Sequence, residues 1–74
     1  MILITVHLSE GPVQERKFIV DNNMDETEEF FKEGMDTETP YFVVISEQST
    51  TTDKAGCPVI LNPSFIVSIT LEKL

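Results

Sequence analysis

Three oxygen-bearing side chains at alternate positions, Asp21, Asn23 and Asp25, match positions 1, 3 and 5 of an EF-hand calcium loop. The match fails further along the segment. The sixth position, where Gly makes the sharp turn, is Glu26, and the twelfth, where a bidentate Glu is required, is Lys32. We therefore interpret the segment as a strand-to-helix turn with capping residues, and we expect no metal site.

The chain has one histidine, His7, and one cysteine, Cys57. Covalent catalysis by such a pair requires the thiol to lie beside the imidazole, together with an orienting group and an oxyanion hole. His7 falls in the middle of a predicted strand, on its outer face beside Thr5. Cys57 precedes Pro58 without a neighbouring base. Two such residues also cannot build a zinc site alone. We expect neither enzymatic activity nor a cofactor.

Carboxylates are the most distinctive feature of the sequence. Eight of them fall within residues 21–38, offset by Lys32 alone, so this segment carries seven of the eight net negative charges. They are Asp21, Asp25, Glu26, Glu28, Glu29, Glu33, Asp36 and Glu38. The simplest interpretation is a solvated helix face. The functional interpretation is a docking surface for a basic protein, with Glu26, Glu29 and Glu33 and the polar loop 48–56 as the predicted contacts.

The length of 74 residues predicts a single domain over residues 1–74. Its residues are 41% hydrophobic, and its net charge is −8. This charge opposes direct binding to nucleic acid, which needs Lys and Arg for phosphate contacts, and it opposes docking on anionic lipid. No segment resembles a signal peptide, and no apolar run reaches the roughly 20 residues that span a bilayer. We expect a cytoplasmic protein.

The apolar residues predict two strands, a helix and three further strands. The predicted elements are strands 2–8 and 13–20, helix 25–33, and strands 41–45, 57–61 and 65–71. Strand 2–8 alternates apolar and polar residues, which is typical of one buried face. Strand 41–45 is apolar throughout, which favours a central strand buried on both faces.

The helix is the only one that the sequence predicts. Asp25 and Glu28 have the spacing of a capping box at its start, and Gly34 is a plausible C-cap at its end. Phe30 and Phe31 are its main apolar residues, so we expect both to pack on a sheet.

The fold class that follows is α+β, with a mainly antiparallel five-stranded sheet in the order ββαβββ, curled into a small half-open barrel with one short helix. The tight corner at residues 62–64 favours pairing of the last two strands. The first strand then pairs with the last, as in SH3-like or Sm-like barrels. The order of elements is also similar to that of β-grasp, ubiquitin-like domains, which is the alternative fold.

The function that we expect is that of a small accessory or regulatory protein that binds another protein. One alternative is an acidic mimic of nucleic acid that inhibits a DNA- or RNA-binding protein. Another is a homo-oligomeric structural or assembly subunit, because a short helix does not cover every apolar residue of the sheet.

Overall fold

The computed structural model describes all 74 residues as two antiparallel sheets and one helix. Its elements are β1 (Ile2–Leu8), β2 (Glu15–Val20), α1 (Met24–Asp36), β3 (Phe42–Ile45), β4 (Pro58–Leu61) and β5 (Ile66–Lys73). The predicted α+β class and the order ββαβββ are confirmed. The predicted five-stranded curled sheet is wrong, because one sheet has the order β2-β1-β5 and β3 pairs only with β4. The β-grasp alternative shares the N-terminal hairpin and helix, but β3 and β4 form a separate sheet.

Strand β1 is the centre of the three-stranded sheet, and its alternation follows the sequence prediction. Ile2, Ile4 and Val6 are buried, whereas the residues between them are partly exposed. Ile4 lies opposite Phe18 on β2 and opposite Leu71 on β5. The predicted pairing of the first strand with the last is therefore confirmed, and it is antiparallel.

A single 3₁₀ turn, Pro63–Phe65, separates the two sheets. The Asn62 side chain accepts a hydrogen bond from the Ser64 N–H at 2.9 Å and fixes the start of this turn. The turn sends the chain from β4 to the edge of β1 instead of reversing it alongside β4. The predicted pairing of the last two strands is wrong for this reason.

Strand β3 does not have the central, doubly buried position that the sequence predicts. Phe42 and Val44 are buried, but Val43 and Ile45 are exposed. A continuous apolar run does not by itself distinguish a strand covered on both sides from one covered on a single side. The two-stranded sheet has nothing packed on its outer face.

Helix α1 is longer than predicted at both ends. Asn23, and not Asp25, is the N-cap, and its side chain accepts a hydrogen bond from the Glu26 N–H at 2.8 Å. The helix continues through Gly34 and ends in hydrogen bonds from the residues that follow it. The Thr39 N–H donates to the Gly34 carbonyl, and the Glu38 N–H donates to the Met35 carbonyl. This is the pattern of a Schellman motif, with Glu38 at the left-handed position (φ 53°).

The core lies between the two sheets and the helix. It contains Ile2, Ile4, Val6, Phe18, Phe31, Phe42, Val44 and Leu61. The helix contributes Phe31 and the buried Thr27, while its remaining side chains face outward or lie at the margin. No helix of the protein is both long and apolar enough to cross a membrane.

Candidate functional site

The outer face of the two-stranded sheet exposes a set of large apolar side chains. Successive residues of a strand point to opposite faces, so the register that buries Phe42 and Val44 turns the residues between and beside them outward. Val43 lies opposite Ile60 on β4, and Ile60 is 70% exposed. We call this surface the apolar sheet face. It consists of Tyr41, Val43, Ile45 and Ile60.

Phe30 extends this surface onto the helix. The sequence predicts that Phe30 and Phe31 both pack on a sheet, but adjacent helical residues point about 100° apart. Phe31 is buried, whereas Phe30 remains 48% exposed. The Phe30 ring still packs on its neighbours, with its centroid 5.1 Å from that of Phe31 and 5.6 Å from that of Phe42. It is therefore a fixed, half-exposed aromatic ring beside the apolar sheet face.

A groove of about 250 Å³ opens beside this ring, between the end of β2, the helix and β3. We call it the Phe30 groove. It is lined by Ile4, Val20, Asn22, Thr27, Phe30, Phe31, Val43, Val44 and Ile45. Seven of these nine residues are hydrophobic and none is charged, so the groove suits an apolar side chain better than an ion.

Two of the three predicted contact residues flank Phe30. Glu33 lines a second shallow groove together with Phe30, Tyr41 and Val43. Glu26 precedes Phe30 by four residues and so lies one helical turn away on the same side. Neither carboxylate forms an ion pair within the protein. The apolar surface is therefore bordered by unneutralised negative charge.

The third predicted contact, Glu29, lies on the solvent side of the helix. It belongs to an open depression lined by Asp25, Glu28, Glu29, Lys32, Glu33 and Asp36, with no hydrophobic residue among them. All six side chains are exposed. No group of three or more His, Cys, Asp or Glu residues in the protein is arranged to hold a metal ion. This stripe attracts positive charge but offers no shaped pocket.

The predicted contact loop 48–56 uses much of its polarity inside the molecule. Thr52 Oγ1 accepts a hydrogen bond from the Lys17 N–H at 2.8 Å, and Thr50 Oγ1 donates to the Lys17 carbonyl at 2.9 Å. Two residues further along β2, Ser46 Oγ accepts a hydrogen bond from the Ile19 N–H at 2.9 Å. The Glu47 N–H donates to the Ile19 carbonyl at 2.6 Å. Residues 46–52 thus satisfy the backbone groups of Lys17 and Ile19 at the free edge of β2.

Asp53 anchors this loop and is almost completely buried. The Arg16 guanidinium donates two hydrogen bonds to its two carboxylate oxygens, and the Thr52 hydroxyl donates a third at 2.8 Å. Burial alone raises the pKa of Asp53. The hydrogen bonds from Arg16 and Thr52 and the charge of Arg16 lower it by more, so the pKa of Asp53 lies below its ordinary value. The Arg16–Asp53 ion pair holds the loop against β2.

The other residues that the sequence singles out for possible chemistry line neither of the two grooves beside Phe30. Asn23 serves as the helix cap, so one of the three side chains that resemble a calcium loop is already engaged. On the outer face of the first sheet, His7 Nδ1 lies 3.8 Å from a carboxylate oxygen of Glu15. Cys57 is exposed and unpaired.

Sequence reasoning missed the importance of Phe30 and Asp53. The signal for Phe30 was its position next to Phe31, since a single helix face cannot bury both rings on a small sheet. Asp53 is a lone acid in a polar loop, and nothing in its local sequence identifies Arg16, 37 residues earlier, as its partner. Comparisons with known protein families, with curated proteins and with solved structures found no match to this chain.

Proposed function

We propose that this protein is a small cytoplasmic accessory or regulatory protein that binds another protein through the apolar sheet face and Phe30. The observation that carries the proposal is the clustering of exposed Tyr41, Val43, Ile45 and Ile60 on one side of the β3–β4 pair, continuous with Phe30. Contiguous apolar surfaces of this kind mark interaction sites, whereas isolated exposed apolar residues are ordinary.

The composition of this surface suits the centre of an interface. Aromatic residues are enriched in interface cores, and charged residues are depleted there and concentrated at the rim. Here Tyr41 and Phe30 supply the aromatic groups, and Glu33 supplies charge at the margin. Because the framework behind these side chains is sheet and helix, their binding costs less conformational entropy than ordering a flexible loop.

The charge pattern favours a basic partner over a second copy of this chain. A symmetric dimer through this face brings two copies of an acidic margin together, in a protein whose net charge is already −8. A partner with Lys or Arg around an apolar centre neutralises that margin and gains faster association.

The experiment compares two single substitutions at equally exposed apolar residues. Ile60→Asp introduces a charge in the middle of the apolar sheet face, and Val67→Asp introduces the same charge at a 69%-exposed residue of β5, in the other sheet. Tagged wild-type and variant proteins are used to capture partners from a native host extract, and the captured proteins are quantified by mass spectrometry.

We expect a partner that wild type and Val67→Asp retain and that Ile60→Asp loses by about tenfold or more, which corresponds to about 1.4 kcal/mol. Equal capture by both variants contradicts the proposal. A concentration-dependent dimer in light scattering that Ile60→Asp abolishes, without any captured partner, assigns the surface to self-association instead. Capture that depends on Glu26, Glu29 and Glu33 but not on Ile60 favours the nucleic-acid mimic.

A further inference from the structure

We infer that the partner, if the proposed function holds, presents an amphipathic helix whose apolar residue enters the Phe30 groove between two basic residues. The groove provides the first half of this inference. Its lining is almost entirely apolar, it contains no charged residue, and the Phe30 ring forms one wall. A site of this composition selects an aliphatic or aromatic side chain, because a charged group placed there loses its hydration without gaining a partner.

The two carboxylates that flank Phe30 along the helix provide the second half. Glu26 and Glu33 lie seven residues apart on α1, with Phe30 between them. At 1.5 Å per residue, two positions seven apart are separated by about 10 Å along the helix axis. Both carboxylates are exposed and free of internal ion pairs, so each is available to a cation of the partner.

This spacing favours a helix over an extended strand as the bound segment. In a helix, residues at i, i+4 and i+7 share one face, and the outer two lie about 10 Å apart. In an extended strand, residues that share a face are separated by multiples of about 6.6 Å, so three successive ones span about 13 Å. A helix with Lys or Arg at i and i+7 and an apolar residue at i+4 therefore places its charges opposite both carboxylates.

The acidic residues around Phe30 also disfavour a second copy of this chain as the bound segment. Within the chain, the only helix is α1 itself, whose corresponding positions carry acids, so a second copy of α1 repels this site. No lysine or arginine lines either groove beside Phe30. A basic helix from another protein meets no like charge there.

The test uses a synthetic helical probe of about 18 residues, side-chain stapled because short free helices are marginal in water. The parent peptide carries Lys at i and i+7 and Leu at i+4. One variant peptide replaces Leu by Ser, and another replaces both Lys by Glu. Binding of each fluorescent peptide to the full chain is measured by polarisation at low ionic strength.

Two double variants of the protein make the charge test specific. Glu26→Lys with Glu33→Lys reverses the charge of the two acids that flank Phe30 along the helix. Glu29→Lys with Asp36→Lys makes the same change in charge, at the same seven-residue spacing, on the solvent stripe of the helix. Any effect of net charge alone is therefore equal in the two variants.

We expect the parent peptide to bind wild type at least tenfold more tightly than the Ser and Glu variant peptides. The Glu26→Lys, Glu33→Lys variant loses the parent peptide and gains the Glu peptide, whereas the Glu29→Lys, Asp36→Lys variant retains the original preference. Absence of binding, equal binding of the three peptides, or equal effects of the two double variants overturns the inference. If host-partner capture remains sensitive to Ile60→Asp in that case, the proposed function stands and only this binding mode is wrong.

Discussion

Gly34 lies against one edge of the Phe42 ring, so a Cβ atom at position 34 is placed 2.7 Å from Cζ of that ring and closer still to Cε1. Gly34 is inside the helix, and its conformation is ordinary. Its role is to let β3 approach α1, which brings Phe42 into the core and leaves Phe30 beside the groove. The glycine that resembled a helix terminus is in fact a packing site.

Gly34→Ala is expected to destabilise the protein by about 1–3 kcal/mol through overpacking. Helix propensity alone favours Ala over Gly by about 1 kcal/mol. A decrease in the free energy of unfolding therefore indicates the steric clash, because propensity alone predicts an increase. The free energy of unfolding is measured by urea denaturation in wild type and in a Phe42→Leu background. The loss is expected to shrink where the ring is absent, and an equal loss in both backgrounds contradicts this explanation.

Glu38→Gly is expected to stabilise the protein by about 0.5–1 kcal/mol. Glu38 occupies the left-handed position of the Schellman motif, where a side chain is strained and Gly is preferred. Glu38→Ala removes the same charge but keeps the backbone strain, so it separates the two effects in thermal unfolding. A gain of equal size for Ala and Gly attributes the effect to charge.

Asp53→Asn is expected to destabilise the protein by about 2 kcal/mol near neutral pH, because it weakens a charge-assisted pair with Arg16. The pKa of Asp53 is lower in the folded protein than in the unfolded chain, where it is about 3.9. Its ionisation therefore stabilises the fold fully above that value, and this contribution is lost as pH falls through the folded pKa.

The difference in unfolding free energy between wild type and Asp53→Asn consequently decreases below about pH 4. Urea titrations at several pH values check this, and the comparison cancels the titration of the other carboxylates. A difference that stays constant down to pH 2 is inconsistent with an ionised Asp53 as the source of the stability.

Ser46→Ala is expected to cost about 1–3 kcal/mol, because it leaves the Ile19 N–H without its hydrogen-bond acceptor. Ser46 is almost completely buried, and its hydroxyl also donates to the Gln48 carbonyl at 2.5 Å. Thr51→Ala is the matched control, since Thr51 is exposed in the same loop and makes no side-chain hydrogen bond. Equal stability of the two variants shows that the Ser46 hydrogen bonds contribute little.

Local patterns in the sequence predict the secondary structure well and its assembly poorly. The buried face of β1 can be predicted because apolar and more polar residues alternate along most of the strand. The pairing of β3 depends on the 3₁₀ turn at Pro63–Phe65, which sends the chain to the other sheet. The composition of residues 62–64 does not indicate whether the next strand pairs with β4 or with β1.

The candidate site was predicted in part. Glu26 and Glu33 follow from the density of charge on the helix, because acidic side chains on an amphipathic helix must face solvent. The apolar half of the site does not follow from the sequence, since Val43 and Ile45 are of the residue types that are usually buried. Their exposure follows from the separation of the two sheets, which is a long-range property of the fold.

The hydroxyl groups of the loop have a further consequence at the edge of β2. Every edge group of Lys17 and Ile19 is already bonded by Ser46, Glu47, Thr50 or Thr52, so a strand from a neighbouring molecule finds no free donor or acceptor there. Uncapped strand edges are the templates on which fibrils grow. Three hydroxyl groups and one backbone N–H therefore oppose amyloid-like stacking at this edge, although no further strand of the sheet covers it.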